Sequence, residues 1–269
     1  MAKAPTEAAF FDLDKTLLPG AALFPLAREM FRQRMFTARD IARLATDQLS
    51  YRLSGKEDVE SMERAREASL TAVKDRRQED IVGFSRTVAE HELFPRFYPQ
   101  AVDMISRHRT AGRETYISSS SPEDFLRILG EELGVTGVLG TRAEVVDGVY
   151  TGRLLGEMCH REEKARRVRE LAEERGIDLA KSYAYSDSIN DLPLLEAVGN
   201  PVAMNPDRKL LAEARKRGWQ VIDLRTARRR TLLGGAFGMS AAAAGSLGYL
   251  GGYLHGRRRG RRSRNLLRK

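Results

Sequence analysis

Cysteine, tryptophan and repeated motifs are scarce in this 269-residue chain, and each scarcity excludes something. The lone Cys159 rules out an intrachain disulfide and fits a reducing compartment. No period of 20 to 50 residues recurs, so a solenoid is excluded. The N-terminus, MAKAPTEAAFFDLDKTLL, has no apolar run long enough for a signal peptide before charge interrupts it, which places the globular body in the cytoplasm as an expectation. Acidic residues are absent from residues 228–269, which hold ten Arg and one Lys. The remaining residues carry 35 basic against 37 acidic side chains, so a net charge of +9 divides into −2 for the body and +11 for the tail. What is present, 42% hydrophobic and 31% charged residues, suffices for a packed core and excludes collagen, disulfide scaffolds and wholesale disorder.

Ala8 to Phe11 reads as a buried strand that ends in Asp-Leu-Asp, because strands covered on both faces lose their polar alternation. From Ala21 to about Phe94 the periods are helical, with Leu26, Met30 and Phe31 and later Ile41, Leu44 and Leu49 as apolar positions. After Pro95 strands and helices alternate, which implies a parallel sheet. The expected elements are a helix over 100–110, a strand over 114–118, a helix over 122–133 closed by Gly134, and a hairpin of 138–146 with 149–155 about Asp147-Gly148. A helix over 162–175, a strand over 182–185, a helix over 192–198, a strand over 201–204, a helix over 207–217 and a strand over 219–224 follow.

Two acidic loops, each just past a strand, stand where ligands of open α/β sheets bind. In Phe11-Asp12-Leu13-Asp14-Lys15-Thr16 the carboxylates read either as a solvated turn or as a nucleophile and an acid–base partner. In Ser186-Asp187-Ser188-Ile189-Asn190-Asp191 they read as ligands for a hard cation such as Mg2+, as a turn with Asn190 or Asp191 capping a helix, or as both. Between them, Ser118 to Ser121 precede Pro122 at a helix start, a place suited to phosphate or to a simple cap. Lys164 either neutralises a phosphoryl oxygen or, among Arg161, Glu162, Glu163, Arg166 and Arg167, belongs to a solvated face.

Taken in order, Asp-x-Asp-x-Thr-Leu, a strand-end Ser, a Lys and Ser-Asp-x-x-x-Asp resemble the four motifs of the haloacid dehalogenase-like phosphohydrolases, over roughly residues 8–224. The arrangement is similar in particular to the phosphoserine-phosphatase-like subgroup, whose helical cap lies between the first two motifs. The resemblance implies an α/β fold: a Rossmann-like parallel sheet sandwiched by helices (1–18 and 96–227) and an inserted all-helical cap (19–95), to which the composition adds a C-terminal apolar and basic tail (228–269). It implies Asp12 as nucleophile and Asp14 as general acid and base. Mg2+ would be held by Asp12, the Asp14 carbonyl and Asp187, and phosphate by Ser118, Ser119, Lys164 and Asn190. Asp191 would orient the metal's water shell or pair with Lys164. The expected activity is that of a Mg-dependent phosphatase working through an aspartyl-phosphate. A phosphotransferase or mutase, and a catalytically weak membrane-anchored binder, are the competing classes.

Three departures bear on the substrate. Nine residues past Asp12, where the subgroup places a glutamate for the substrate ammonium, stands Ala21. Ser119 and Ser120 replace glycines, and Lys15 adds a positive charge. A lipid-related or other small-molecule phosphate is therefore expected rather than phosphoserine.

Residues 231–255 carry no formal charge and include seven Gly and five Ala between two Arg clusters. As a helix they would be about 37 Å long, enough for a bilayer core, though the glycines weaken both the helix and its insertion. A transmembrane helix or a surface-lying segment is expected from 231–269, on the inner face of the cell membrane, with Gly234-x-x-x-Gly238 and Gly248-x-x-x-Gly252 offering a homodimer contact. No aromatic residue is interleaved after Arg257, which argues against nucleic acid as partner.

Overall fold

Ala8–Phe11 (β1) is four residues of unbroken burial, and burying each Phe contributes about 1.5–3 kcal/mol. Its neighbours explain why no polar alternation is needed: Phe10 stacks on Tyr116 on one face and Phe11 on Tyr185 on the other. The computed structural model describes residues 6–33, 67 and 69–225. The chain divides into two compact units, residues 1–222 and 223–269, and the sheet, its helices and the candidate site lie within the first.

After β1 come α1 (Leu23–Arg32), α2 (Gln78–Val88), α3 (Pro99–Thr110), β2 (Glu114–Pro122), α4 (Glu123–Leu133) and β3 (Gly137–Thr141). Then follow β4 (Ala143–Val146), β5 (Val149–Leu154), α5 (Arg161–Arg175), β6 (Tyr183–Ser186), α6 (Leu192–Glu196), β7 (Asn200–Met204), α7 (Arg208–Arg217) and β8 (Gln220–Ile222). Six strands form one sheet in the order β3-β2-β1-β6-β7-β8, every pair parallel. This is a Rossmann-like α/β sheet flanked by helices. The chain winds outward from β1 in one direction and from β6 in the other, so a crevice opens at the carboxyl ends of these two strands. Asp12 follows β1 and Asp187 follows β6, which brings the two acidic loops to that crevice.

Three helix ends fall where the sequence places them. Gly134 and Gly176 take left-handed conformations that close α4 and α5, and the Asp207 side chain caps α7 by accepting from Leu210 N–H at 2.7 Å. One expectation needs correction. Residues 138–146 are not one hairpin strand: β3 joins the main sheet beside β2, and only β4 pairs antiparallel with β5. Gly140 lets β3 run close to the start of α4, since a Cβ there would meet the Glu123 backbone at 2.7 Å. The last strand is also shorter than expected, Gln220–Ile222, α6 stops at Glu196 rather than 198, and β2 runs past residue 118 to Pro122.

Within the segment expected as a cap, α1, residues 69–73 and α2 are helical, followed by a π-turn over Ala89–Leu93 and a 3-10 turn over Phe94–Arg96. The Tyr98 N–H donates to the Leu17 carbonyl at 2.9 Å, so the chain leaves and re-enters the sheet side by side. Residues 34–66 and 68 lie outside the described residues, as do the tail expectations for 228–269. Among the described residues no helix is long and apolar enough to cross a membrane.

Candidate active site

Lys164 organises the crevice. It sits on α5 one helical step from Ala165 and one turn from Val168, on the face that packs against the sheet, and is 2% exposed. Its ammonium donates to Asp12 Oδ1 at 2.8 Å and to both Asp191 oxygens at 2.9 and 2.8 Å. Burial pulls the Lys164 pKa down, but the Asp12 and Asp191 carboxylates outweigh it and hold the ammonium above its ordinary value. The solvated-face reading of this lysine is thus corrected: Glu162 and Arg166 are exposed, but Lys164 is buried with Val168 and Ala172, and beside it Glu163 and Arg167 form a buried ion pair at 2.7 Å.

Asp12 is 7% exposed and accepts a second hydrogen bond, from Thr16 Oγ1 at 3.2 Å. Burial raises its pKa, opposed by Lys164. Asp14 accepts from the Ala22 N–H at 2.8 Å, and burial, opposed by that bond and reinforced by Asp12, lifts its carboxyl to about 7. A group that titrates near neutrality can both give and take a proton. Asp187 is 6% exposed; burial and then the charge of Asp12 lift it to about 8, against Lys15, whose ammonium stands 4.0 Å from Asp187 Oδ2.

Asp191 is fixed on its other side by Ser186 Oγ, which donates to Oδ2 at 2.6 Å. Ser118 is fully buried and its hydroxyl has no hydrogen-bond partner among the described residues. By register it stands one step past the Phe11–Ile117 pair, level with Asp12. The thiol of Cys159 lies close to both Ser118 and Lys164, but burial pushes it up to about 11, so it stays protonated. Ser119 turns back on its own loop and accepts from the Ser121 N–H at 3.2 Å. Asn190 accepts from Arg161 at 3.2 Å and shares the Ser188 hydroxyl, which caps the short turn before α6. Asp191 does stand at the N-cap position of α6, as expected, but its side chain makes no capping bond and is left for Lys164.

Lys164 thus joins Asp12 to Asp191, and Asp187 lies in electrostatic range of both carboxylates, with Thr16 and Ser186 as orienting hydroxyls that sequence reasoning did not single out as site residues. Among the described residues no group of three or more His, Cys, Asp or Glu side chains gathers as if for a metal. The expected Mg2+ set asks for only two carboxylates and one carbonyl, so Asp12 and Asp187, two buried acids whose charges raise each other's cost, fit a hard oxygen-seeking cation.

A family model described as haloacid dehalogenase-like hydrolase matches residues 9–196. The chain is 35% identical over 240 residues to a Mycobacterium tuberculosis protein named phosphoserine phosphatase SerB1, covering 89% of this chain and 78% of that one. It is 32% identical over 223 residues to a histidinol-phosphatase of Neisseria meningitidis serogroup C, covering 81% and 98%. A solved structure of a Bordetella pertussis Tohama I protein of unknown function superposes with a TM-score of 0.72 at 34% identity, covering 81% of this chain and 99% of that one.

Proposed function

The chain belongs to the haloacid dehalogenase-like hydrolases and is a phosphoric monoester hydrolase, and we propose that it works through a phosphorylated Asp12 with Mg2+ as cofactor. The observation that carries this reading is the buried Lys164 bonded at once to Asp12 and Asp191. An ammonium in that place keeps Asp12 ionised and accepts the charge of an incoming phosphoryl group.

An oxygen of Asp12 attacks phosphorus and the bond from phosphorus to the ester oxygen breaks. Asp14 gives its proton to the leaving oxygen, then takes one from a water molecule that attacks the same phosphorus. The bond to Asp12 breaks, inorganic phosphate leaves and both carboxyls return to their starting states. Asp12, the Asp14 carbonyl and Asp187 would hold Mg2+, which when bound offsets the negative charge of the phosphoryl oxygens. Ser118 supplies a hydroxyl that burial has left without a partner, and Lys164 a cation, for those oxygens. Ser119 and Asn190 complete the loops around them, Asp191 holds Lys164, and the insert over 19–95 serves as the lid that excludes water.

The substrate is a small-molecule or lipid-derived phosphate monoester. The relatives are named for phosphoserine and for histidinol phosphate, two esters that carry an ammonium group; here Ala21 offers no carboxylate to such a group. The uncharged segment 231–255 between arginine clusters supports association with the inner face of a membrane.

The test is phosphate release by the full chain, with and without Mg2+, from phosphoserine, histidinol phosphate, sugar phosphates and lysophospholipid phosphates. Activity lost in Asp12→Asn and on chelation is expected, with phosphoserine at the bottom of the order. Transfer of phosphate to an added alcohol at the expense of hydrolysis would favour the phosphotransferase reading instead.

A further inference from the structure

Lys15 holds a left-handed backbone conformation, φ 60°, which is uncommon outside glycine. Both its backbone groups are tied: its N–H donates to the Gly20 carbonyl at 3.1 Å, and its carbonyl accepts from the Asn205 side-chain amide at 2.8 Å, across 190 residues. The Asp14–Lys15 peptide is planar and trans, so fixing the Lys15 N–H also fixes the Asp14 carbonyl, pointing away from Gly20. Asn205 is itself left-handed, φ 53°, 2% exposed, and anchored by its N–H to the Ile222 carbonyl of β8 at 2.7 Å. Asn tolerates that conformation because its short polar side chain bonds locally.

Two residues on, Asp207 grips the other acidic loop. Its N–H donates to the Asp187 carbonyl at 2.7 Å, and its Oδ2 accepts from the Ile189 N–H at 3.1 Å. One short loop, Asn205-Pro206-Asp207, therefore touches the Asp14 loop with its first residue and the Asp187 loop with its last. Both loops hang from separate strands and contribute to the same proposed cation set.

We propose that Asn205 and Asp207 are positioning residues that set the distance and angle between the Asp14 carbonyl and Asp187, and so set the affinity for the divalent cation. This rests on the phosphatase reading above.

Mn2+ binding to the full chain tests it, since Mn2+ shares the oxygen preference of Mg2+ and is read directly by titration. Asn205→Gly keeps the left-handed backbone and removes only the side-chain donor; Asp207→Asn keeps the Oδ1 cap of α7 and removes the acceptor for Ile189. Asp178→Ala, at the opposite end of the sheet, removes a comparable acceptor for the Ala180 N–H as a control. Both clasp variants are expected to bind Mn2+ at least about tenfold more weakly, ~1.4 kcal/mol, with the control unchanged. Affinity within twofold of the parent, or an equal loss in Asp178→Ala, overturns the clasp while leaving the phosphatase reading intact. A parent chain that binds no Mn2+, or an Asp12→Asn variant that binds it as well as the parent, overturns the reading and the clasp together.

Discussion

Replacing Lys164 by methionine, a near match in length without the charge, isolates the central ion cluster. Its ammonium lies 2.8 Å from Asp12 Oδ1 and 2.8 Å from Asp191 Oδ2, and all three groups are under 10% exposed. At an effective dielectric of ~20 each contact is worth about 6 kcal/mol before desolvation is charged against it. The net cost of breaking a buried cluster by removing one partner is about 3–5 kcal/mol, because the two carboxylates are left buried without a cation. The sign with pH follows. Asp12 already has a raised pKa from burial, and without Lys164 to oppose that rise it goes higher. A carboxyl whose folded pKa exceeds its unfolded value loses stability as pH climbs from the unfolded pKa through the folded one. Urea unfolding of Lys164→Met, followed by circular dichroism in Mg-free buffer, should show the full deficit near pH 7.5 and a smaller one near pH 5. A variant as stable as the parent at pH 7.5, or a deficit that does not shrink toward pH 5, would refute the reasoning.

His108 gives an opposite handle on pH. It is buried against Phe11, Tyr183 and Tyr185, meets the Tyr185 hydroxyl at 2.7 Å, and burial followed by Arg113 lowers its pKa to about 4. Its unfolded form takes up a proton first as pH falls, so it should remove roughly 2 kcal/mol between pH 7 and pH 5, a slope that His108→Gln should lack in parallel urea titrations. Gly199→Ala places a Cβ 1.7 Å from the Ala180 carbonyl oxygen, backbone against backbone, and should cost about 3 kcal/mol or more; a loss under about 1 kcal/mol in the denaturation midpoint would contradict the packing. Lys15→Ala should change the relative rates across the ester panel, because its ammonium stands 4.0 Å from Asp187; identical rank order and ratios would remove Lys15 from substrate choice.

Elements whose signal is local were legible. The buried run at β1, the alternation after Pro95 and the glycines that end α4 and α5 all state their role within a few residues. The acidic loops were legible as well, since their place after strands follows from the order of elements. Lys164 was legible only through its place in the order of motifs, because its charged neighbours imitate a solvated helix face. The split of residues 138–146 lies in β3 pairing with β2 while β4 pairs with β5, a choice of partner that local alternation does not reveal. The clasp at Asn205 was not legible at all: Asn-Pro-Asp reads as a turn and a helix cap, and its partner is 190 residues away.

Trapping the covalent intermediate tests the account most directly. The full chain, with Mg2+ and a hydrolysed monoester from the panel, is quenched and treated with borohydride, which reduces an aspartyl-phosphate to homoserine, and the peptides are mapped by mass. Homoserine is expected at residue 12 alone, and none in Asp14→Asn chain incubated without substrate. Turnover that continues with residue 12 unmodified, or with the label on another residue, contradicts it.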